Sequence, residues 1–312
     1  MARKLWPRFF RPATRAFLEE AAGTPGMSRF NLLHAYVYGR WPYLYISIGS
    51  GEHRVARVLG PVVSWLGRWL VKPHADTPSV TFADTYHGKV VPLEAATQLV
   101  TVNEDVTITN LEPVIPYALA RDIVLRNPDH IVDLECPCRS AREKPCLPLD
   151  VCLVIGEPFA SFVREQHPRR SRWISQEEAV EILRAEDEQG HVHHAFFKDA
   201  MLGRFYAICN CCACCCGGMR AWSHGTPMLA SSGFVSRLDA DLCLGCGSCV
   251  EVCPFGAISL NGGPAVVDDA LCMGCGVCLA RCPQHALALE RDPARGEPLL
   301  LRELMESLRE NR

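Results

Sequence analysis

The run Cys243-x2-Cys246-x2-Cys249-x3-Cys253-Pro254 returns 29 residues later as Cys272, Cys275, Cys278, Cys282 and Pro283. Few folds can accommodate eight thiols placed this way. Three cysteines separated by two residues can wrap three corners of one compact metal centre within a single tight loop, and the fourth corner has to come from elsewhere in the chain. Gly245, Gly247, Gly274 and Gly276 lie between the cysteines. Without a Cβ they let backbone N–H groups turn toward a bound anionic group and let the chain approach it closely. No carboxylate stands within either triplet, so nothing there adds negative charge to thiolates already held together. Pro254 and Pro283 end each loop and fix φ where the next element begins. The competing readings are a pair of zinc knuckles or a disulfide scaffold. Zinc would need only two pairs, and neither alternative uses a duplicated Cys-Pro.

The doubled run resembles that of the two-cluster bacterial ferredoxins, and the resemblance extends over residues 236–291 with every motif cysteine present. It implies two [4Fe–4S] clusters, with the last cysteine of each run crossing to the other cluster. On that pattern Cys243, Cys246, Cys249 and Cys282 hold the first cluster, and Cys272, Cys275, Cys278 and Cys253 hold the second. The activity it implies is one-electron transfer with a redox partner protein.

The chain has 312 residues, of which 48% are apolar and 18 are cysteine. That length allows about two domains, and a chain this long is no small secreted disulfide framework. Thr14-Arg15-Ala16-Phe17-Leu18 lacks the second arginine of a twin-arginine signal, and the acidic pair Glu19-Glu20 follows where an apolar stretch would run. The expectation is therefore a reducing cytoplasm. There is no Cys-x-x-Cys-His haem site and no P-loop. Gly49-Ser50-Gly51 starts a dinucleotide-like pattern that Arg54 breaks. No helix-turn-helix or basic recognition element points to nucleic acid.

Charge is unevenly spread. Residues 1–72 carry eleven Lys/Arg against three Asp/Glu, a net of +8, which leaves −11 for residues 73–312 of a chain whose total is −3. The same segment holds 12 of the 25 aromatics, among them Tyr36, Tyr38, Trp41, Tyr43 and Tyr45. From His53 to Val71, Val55, Val58, Leu59, Val62, Leu66, Trp69 and Leu70 fall at helical spacing, interrupted by Arg54, Arg57 and Arg68 and kinked at Gly60-Pro61. So many charges exclude a transmembrane helix. Two readings remain open: peripheral contact with a membrane at its cytoplasmic face, or an amphipathic helix packed on the domain.

From about residue 74 the pattern mixes helix and strand. Val80-Thr81-Phe82, Lys89-Val90-Val91 and Ile131-Val132-Asp133-Leu134 read as short strands, and 92–100 and 113–127 as helices. Ser175 with Glu178 makes a capping box for a helix closed at Gly190. The expected fold class is α+β, a mixed α/β cysteine-rich domain followed by a ferredoxin-type 2[4Fe–4S] domain. The expected divisions are a basic aromatic segment (1–72), the cysteine-rich domain (73–216), a linker rich in turn formers (217–235), the ferredoxin repeat (236–291) and a C-terminal helical tail (292–312).

Ten further cysteines lie upstream: Cys136, Cys138, Cys146 and Cys152, then Cys209, Cys211, Cys212, Cys214, Cys215 and Cys216. Thiols this dense and idle would oxidise or scavenge metal, which favours a ligand role. Iron–sulfur, zinc and plain packing of small hydrophobic side chains all remain open. The run at 209–216 is too short to surround a cubane alone, so a shared centre requires the 136–152 loop to fold against it. His191, His193 and His194 read as a surface strand, without the paired Cys-x-His loops of a Rieske centre. The segments Cys136-Pro137-Cys138-Arg139 and Ile208-Cys209-Asn210-Cys211-Cys212 onward resemble those of 4Fe–4S dicluster proteins that join a cysteine-rich domain to a ferredoxin. This resemblance implies at least one further iron–sulfur site and electron transfer, but no substrate. The functional alternatives are an iron–sulfur oxidoreductase whose upstream domain is the active site, and a redox or metal sensor.

Overall fold

A computed structural model describes residues 10–53, 82–109 and 111–310. Three helices open the described chain: α1 (Pro12–Gly23), α2 (Arg29–Arg40) and α3 (Pro42–Gly49). Proline begins α1 and α3, where its missing N–H costs nothing. Ser28 caps α2 by accepting from the Asn31 N–H at 3.0 Å. These helices are not a free segment. Phe17 is fully buried and stacks on Phe162 at 4.3 Å, and the Tyr38 hydroxyl meets that of Tyr206 at 2.8 Å. The expected amphipathic stretch from Arg54 to Val71 lies outside the described residues, as do Val80 and Thr81. Phe82, expected in a strand, instead begins α4 (Phe82–Thr85). Among the described residues no helix is long and apolar enough to cross a membrane.

The chain then builds β1 (Tyr86–Val90), α5 (Leu93–Thr101), β2 (Val106–Ile108), β3 (Ile123–Leu125), β4 (Ile131–Glu135), α6 (Pro137–Ser140), β5 (Asp150–Ile155), α7 (Phe159–Gln166) and β6 (Ser171–Ile174). After these come α8 (Gln176–Glu188), β7 (Val192–Lys198), β8 (Arg204–Cys211), α9 (Gly217–Ser223) and β9 (Leu229–Ala230). Seven strands form one sheet in the order β6-β4-β5-β8-β7-β1-β9, antiparallel except for the β1–β9 pair. Alternation along the strands feeds two cores. Phe196 and Tyr206 join Phe17 and Phe159 on one face, while Phe197, Phe205 and Ile208 join Leu99 of α5 and Leu183 of α8 on the other.

The remaining elements are β10 (Phe234–Leu238), α10 (Ser248–Val252), β11 (Ile258–Leu260), β12 (Ala265–Val267), α11 (Val277–Ala280), β13 (Leu287–Arg291) and α12 (Leu301–Glu310). β10 pairs with β13 and β11 with β12, both antiparallel. The tail then returns to the large sheet. Leu299 and Leu301 enter the α5–α8 core, and Lys89 Nζ donates to the Glu297 carbonyl at 2.8 Å. The fold is α+β, as the sequence leads one to expect.

Three local expectations are corrected. Residues 113–127 form turns and β3 rather than a helix. Pro116 would sit inside that helix without an N–H to donate, and Ala120 takes φ +55°. The turn-rich 217–235 stretch is no free linker, because it carries α9 and the sheet strand β9 with Met228 buried. The histidine strand is not on the surface. β7 lies between β8 and β1, and His193 and His194 are at most 1% exposed.

Candidate metal centres

In the C-terminal module the two cysteine runs adopt matching backbone. Gly245 and Gly274 have φ of +63° and +62°, and Gly247 and Gly276 have +85° and +87°. Each positive φ turns the chain so that the next cysteine faces inward. Two cavities result. One is lined by Cys243, Cys246, Cys249 and Cys282. The other is lined by Cys253, Cys272, Cys275 and Cys278. Each therefore takes three thiols from its own loop and one from the end of the other run.

Donors point at these sulfurs. The N–H groups of Ala257 and Ala286 donate to Cys253 Sγ (3.2 Å) and Cys282 Sγ (3.3 Å), at equivalent points of the two halves. The Ser236 N–H lies 3.4 Å from Cys272 Sγ, and its hydroxyl is 3.4 Å from Cys278 Sγ. Such bonds stabilise sulfur that carries negative charge. The cavities differ in exposure. Cys246 is exposed, and its thiol is pulled down by the Ser248 hydroxyl. Burial pushes Cys275 up, and Cys278 up to about 11. Two similar cavities, four thiols around each, N–H donors and no carboxylate among the lining residues all fit the anionic [4Fe–4S] group.

Residues 236–283 match the 4Fe-4S dicluster domain. A protein named "Probable ferredoxin" from Methanosarcina thermophila is 57% identical over 37 residues, which are 12% of this chain and 64% of that protein. The chain thus spans less than two thirds of that relative's length. This dicluster module binds iron–sulfur clusters, and the seven-stranded sheet lies outside residues 236–283.

The upstream cysteines converge from both stretches, but in two groups rather than one. Cys146, Cys212, Cys214 and Cys215 place their sulfurs within 4.8 Å of one another, with Cys146 and Cys214 3.0 Å apart. The other six form a chain of contacts. Cys209 touches Cys152 at 3.7 Å, and Cys152 leads to Cys136, then Cys138, Cys216 and Cys211. The fold accounts for the division. Cys152 and Cys209 are register partners on β5 and β8, and Cys209 and Cys211 share one face of β8. Cys136 caps the short α6, and its Sγ accepts from the Arg139 N–H at 3.5 Å. The tight turn after β8 groups Cys212 and Cys215, both buried, with exposed Cys214 and returns Cys216 to the inner group.

The inner six line one pocket, together with Cys212, Tyr38, Tyr86, Tyr206, Arg139 and His167. Arg139 is the main cation there and is 1% exposed. It donates to Glu186 Oε2 (2.5 Å) and to the carbonyls of Asn210 (3.0 Å) and Pro148 (2.5 Å), and His191 Nδ1 lies 2.7 Å from the same Glu186 oxygen. The adjoining Cys138 and Cys152 thiols hold Cys136 well below the ordinary thiol range, and Arg139 reinforces this. Cys138 and Cys152 are pushed the opposite way by their neighbouring thiols and by burial. Of the histidines, His193 bonds Asn210 Oδ1 at 2.6 Å and His191 bonds Glu186, so both orient this wall. Sequence reasoning passed over Ser236, Arg139 and the tyrosines. Only Arg139, next to Cys138, carried a local signal.

Proposed function

We propose that this chain is an iron–sulfur electron-transfer protein with two [4Fe–4S] clusters and a further upstream centre. Cys243, Cys246, Cys249 and Cys282 hold the outer cluster, and Cys272, Cys275, Cys278 and Cys253 the inner one. Cys136, Cys138, Cys152, Cys209, Cys211 and Cys216 hold the third, polynuclear centre. Once bound, such groups supply one-electron chemistry.

One observation carries this reading. Cys253 and Cys275 pack against the same buried core as Cys136, Cys152, Cys211 and Cys216. Phe255 and Met273, which border the inner cavity, join that core, and Phe255 meets Trp222 edge-on at 5.1 Å. Phe255 and Met273 are buried there. At the opposite end Cys246 is exposed, and neighbouring Leu244 is 70% exposed, a suitable docking point for a redox partner protein. These contacts support the order partner, outer cavity, inner cavity, six-thiol pocket.

A second reading is favoured by the lining of that pocket, where Tyr38, Tyr86, Tyr206 and Arg139 offer polar groups that suit a bound substrate. On this reading the chain is a reductase fed by its own dicluster module. Iron and acid-labile sulfide counts with EPR on anaerobically purified protein test the proposal. About twelve or more irons supports an upstream centre, and about eight confines clusters to the module and removes the third centre.

A further inference from the structure

We propose that Cys146, Cys212, Cys214 and Cys215 form a separate mononuclear site that binds one divalent first-row transition ion, zinc or iron, in a tetrahedral all-thiolate shell. A metal–sulfur bond of about 2.3 Å places the four sulfurs of such a site about 3.8 Å apart. The four here lie within 4.8 Å of one another, with Cys146 and Cys214 at 3.0 Å and Cys214 and Cys215 at 3.7 Å. A cubane holds its ligating sulfurs wider, because four irons and four sulfides stand between them. The protein offers its own comparison. Among the described residues this is the group of potential ligands drawn so close, whereas neither foursome of the dicluster module is.

The surroundings suit one small ion. Cys212 and Cys215 are buried, Cys146 is half-buried and Cys214 is exposed, so an ion can enter from solvent without crossing the core. Binding is balanced as four thiols plus M²⁺ giving [M(SCys)4]²⁻ and four protons released to solvent. Arg142 stands beside the resulting double negative charge, with one guanidinium N–H donating to the Cys215 carbonyl at 3.1 Å and another to Glu52. The resulting role is mechanical. Cys146 is the one ligand from the 141–149 loop, so the ion ties that loop to the turn after β8. The same turn delivers Cys211 and Cys216 to the six-thiol pocket. The site needs no electron relay, and its test reads separately from that of the proposed function.

The test is elemental analysis and acid-labile sulfide on anaerobically purified full-length protein, comparing wild type with Cys146→Ser and Cys214→Ser. The expected result is loss of one metal equivalent per chain with sulfide and cluster EPR unchanged; the ion lost, zinc or iron, identifies the native metal. Loss of sulfide in step with iron would mean that these thiols hold a cluster, and would overturn the proposal. No loss of metal would overturn it as well, as would a Cys146–Cys214 disulfide recovered from protein never exposed to air. Cobalt(II) loading of wild-type protein needs no variant to fold. The intense ligand-field absorption of tetrahedral cobalt thiolate is expected at one equivalent, and its absence refutes the site.

Discussion

Gly274 and Gly245 occupy the same place in the two halves of the dicluster module, and replacing each with alanine separates backbone strain from packing. Both have φ near +62°, so an added Cβ costs each about 1–2 kcal/mol in the left-handed region. Their neighbours differ. A Cβ on Gly245 would meet the Gly263 carbonyl oxygen at 3.0 Å, a contact a small shift relieves. One on Gly274 would stand 2.1 Å from the Phe234 carbonyl oxygen and 2.3 Å from Ser232 Oγ. Those atoms cannot yield cheaply. Ser232 donates its hydroxyl to the Gly274 carbonyl at 2.8 Å and its N–H to the Met273 carbonyl at 3.0 Å, joining the inner loop to the segment that leaves the large sheet. Overpacking of this kind costs roughly 1–3 kcal/mol beyond the strain. Gly274→Ala is therefore expected to destabilise the protein by about 2–5 kcal/mol, and Gly245→Ala by about 1–2 kcal/mol. Anaerobic denaturant titration, followed by cluster absorbance and tryptophan fluorescence, measures both. Equal midpoint shifts, or a larger one for Gly245→Ala, would refute the claim that the inner loop is docked on the sheet domain.

Three further expectations arise from the same geometry. Cys282→Ala should abolish the EPR signal of the outer cluster and leave the inner one, although Cys282 is nearer in sequence to the inner triplet; loss of the inner signal instead would reverse the crossed assignment. Ser236→Ala removes the hydroxyl 3.4 Å from Cys278 and should lower the inner cluster's reduction potential by on the order of 20–60 mV in a redox titration, an unchanged potential counting against that bond. Burial pushes Lys89 down to about 7, only partly offset by Glu297, so at this group the unfolded chain binds the extra proton between about pH 7 and pH 10.5, and the contribution of Lys89 to stability rises across that window. Lys89→Met should remove that contribution from the pH dependence and stabilise the fold near pH 7 by up to ~5 kcal/mol, less about 1 kcal/mol for the lost bond to the Glu297 carbonyl; parallel stability curves for the two proteins would exclude this.

The legible part of the sequence was mostly local. The doubled cysteine run specifies loop, turn residues and ligand order within a few residues of itself, so its two cavities could be read before any fold was known. The Ser175 cap behaved the same way, accepting from the Glu178 N–H at 3.2 Å. Non-local order was hidden. The burial of His193 and His194 depends on β7 lying between β8 and β1, and β1 is distant in sequence. The apolar spacing across 113–127 was real, since Ile115 and Ile123 are both fully buried, but Pro116 turned it into loop and strand. The division of ten upstream thiols into groups of four and six depends on where β8 ends. Cys209 and Cys211 follow the strand's period of two, and the turn after the strand, closed by the Cys216 N–H on the Cys212 carbonyl at 3.1 Å, gathers Cys212, Cys214 and Cys215.

The charge around the six inner thiols bears on how this domain holds together. Arg139 is fully buried among them, but it is already shared by Glu186, two backbone carbonyls and His191, so it cannot balance several thiolates. Without metal most of the six must keep their protons, as the upward push on Cys138 and Cys152 indicates. Six sulfurs then border one pocket with mostly each other as partners, the Arg139 N–H on Cys136 aside. In the proposed third centre, positive charge brought by metal would let the thiols ionise and would link β5, β8 and α6. The free energy of that binding would then be part of the folding free energy of the domain. Because Cys253 and Cys275 rest on the same core, disturbance of the pocket would reach the inner cavity through packing alone. The sheet domain and the dicluster module are coupled mechanically along the path proposed for the electrons.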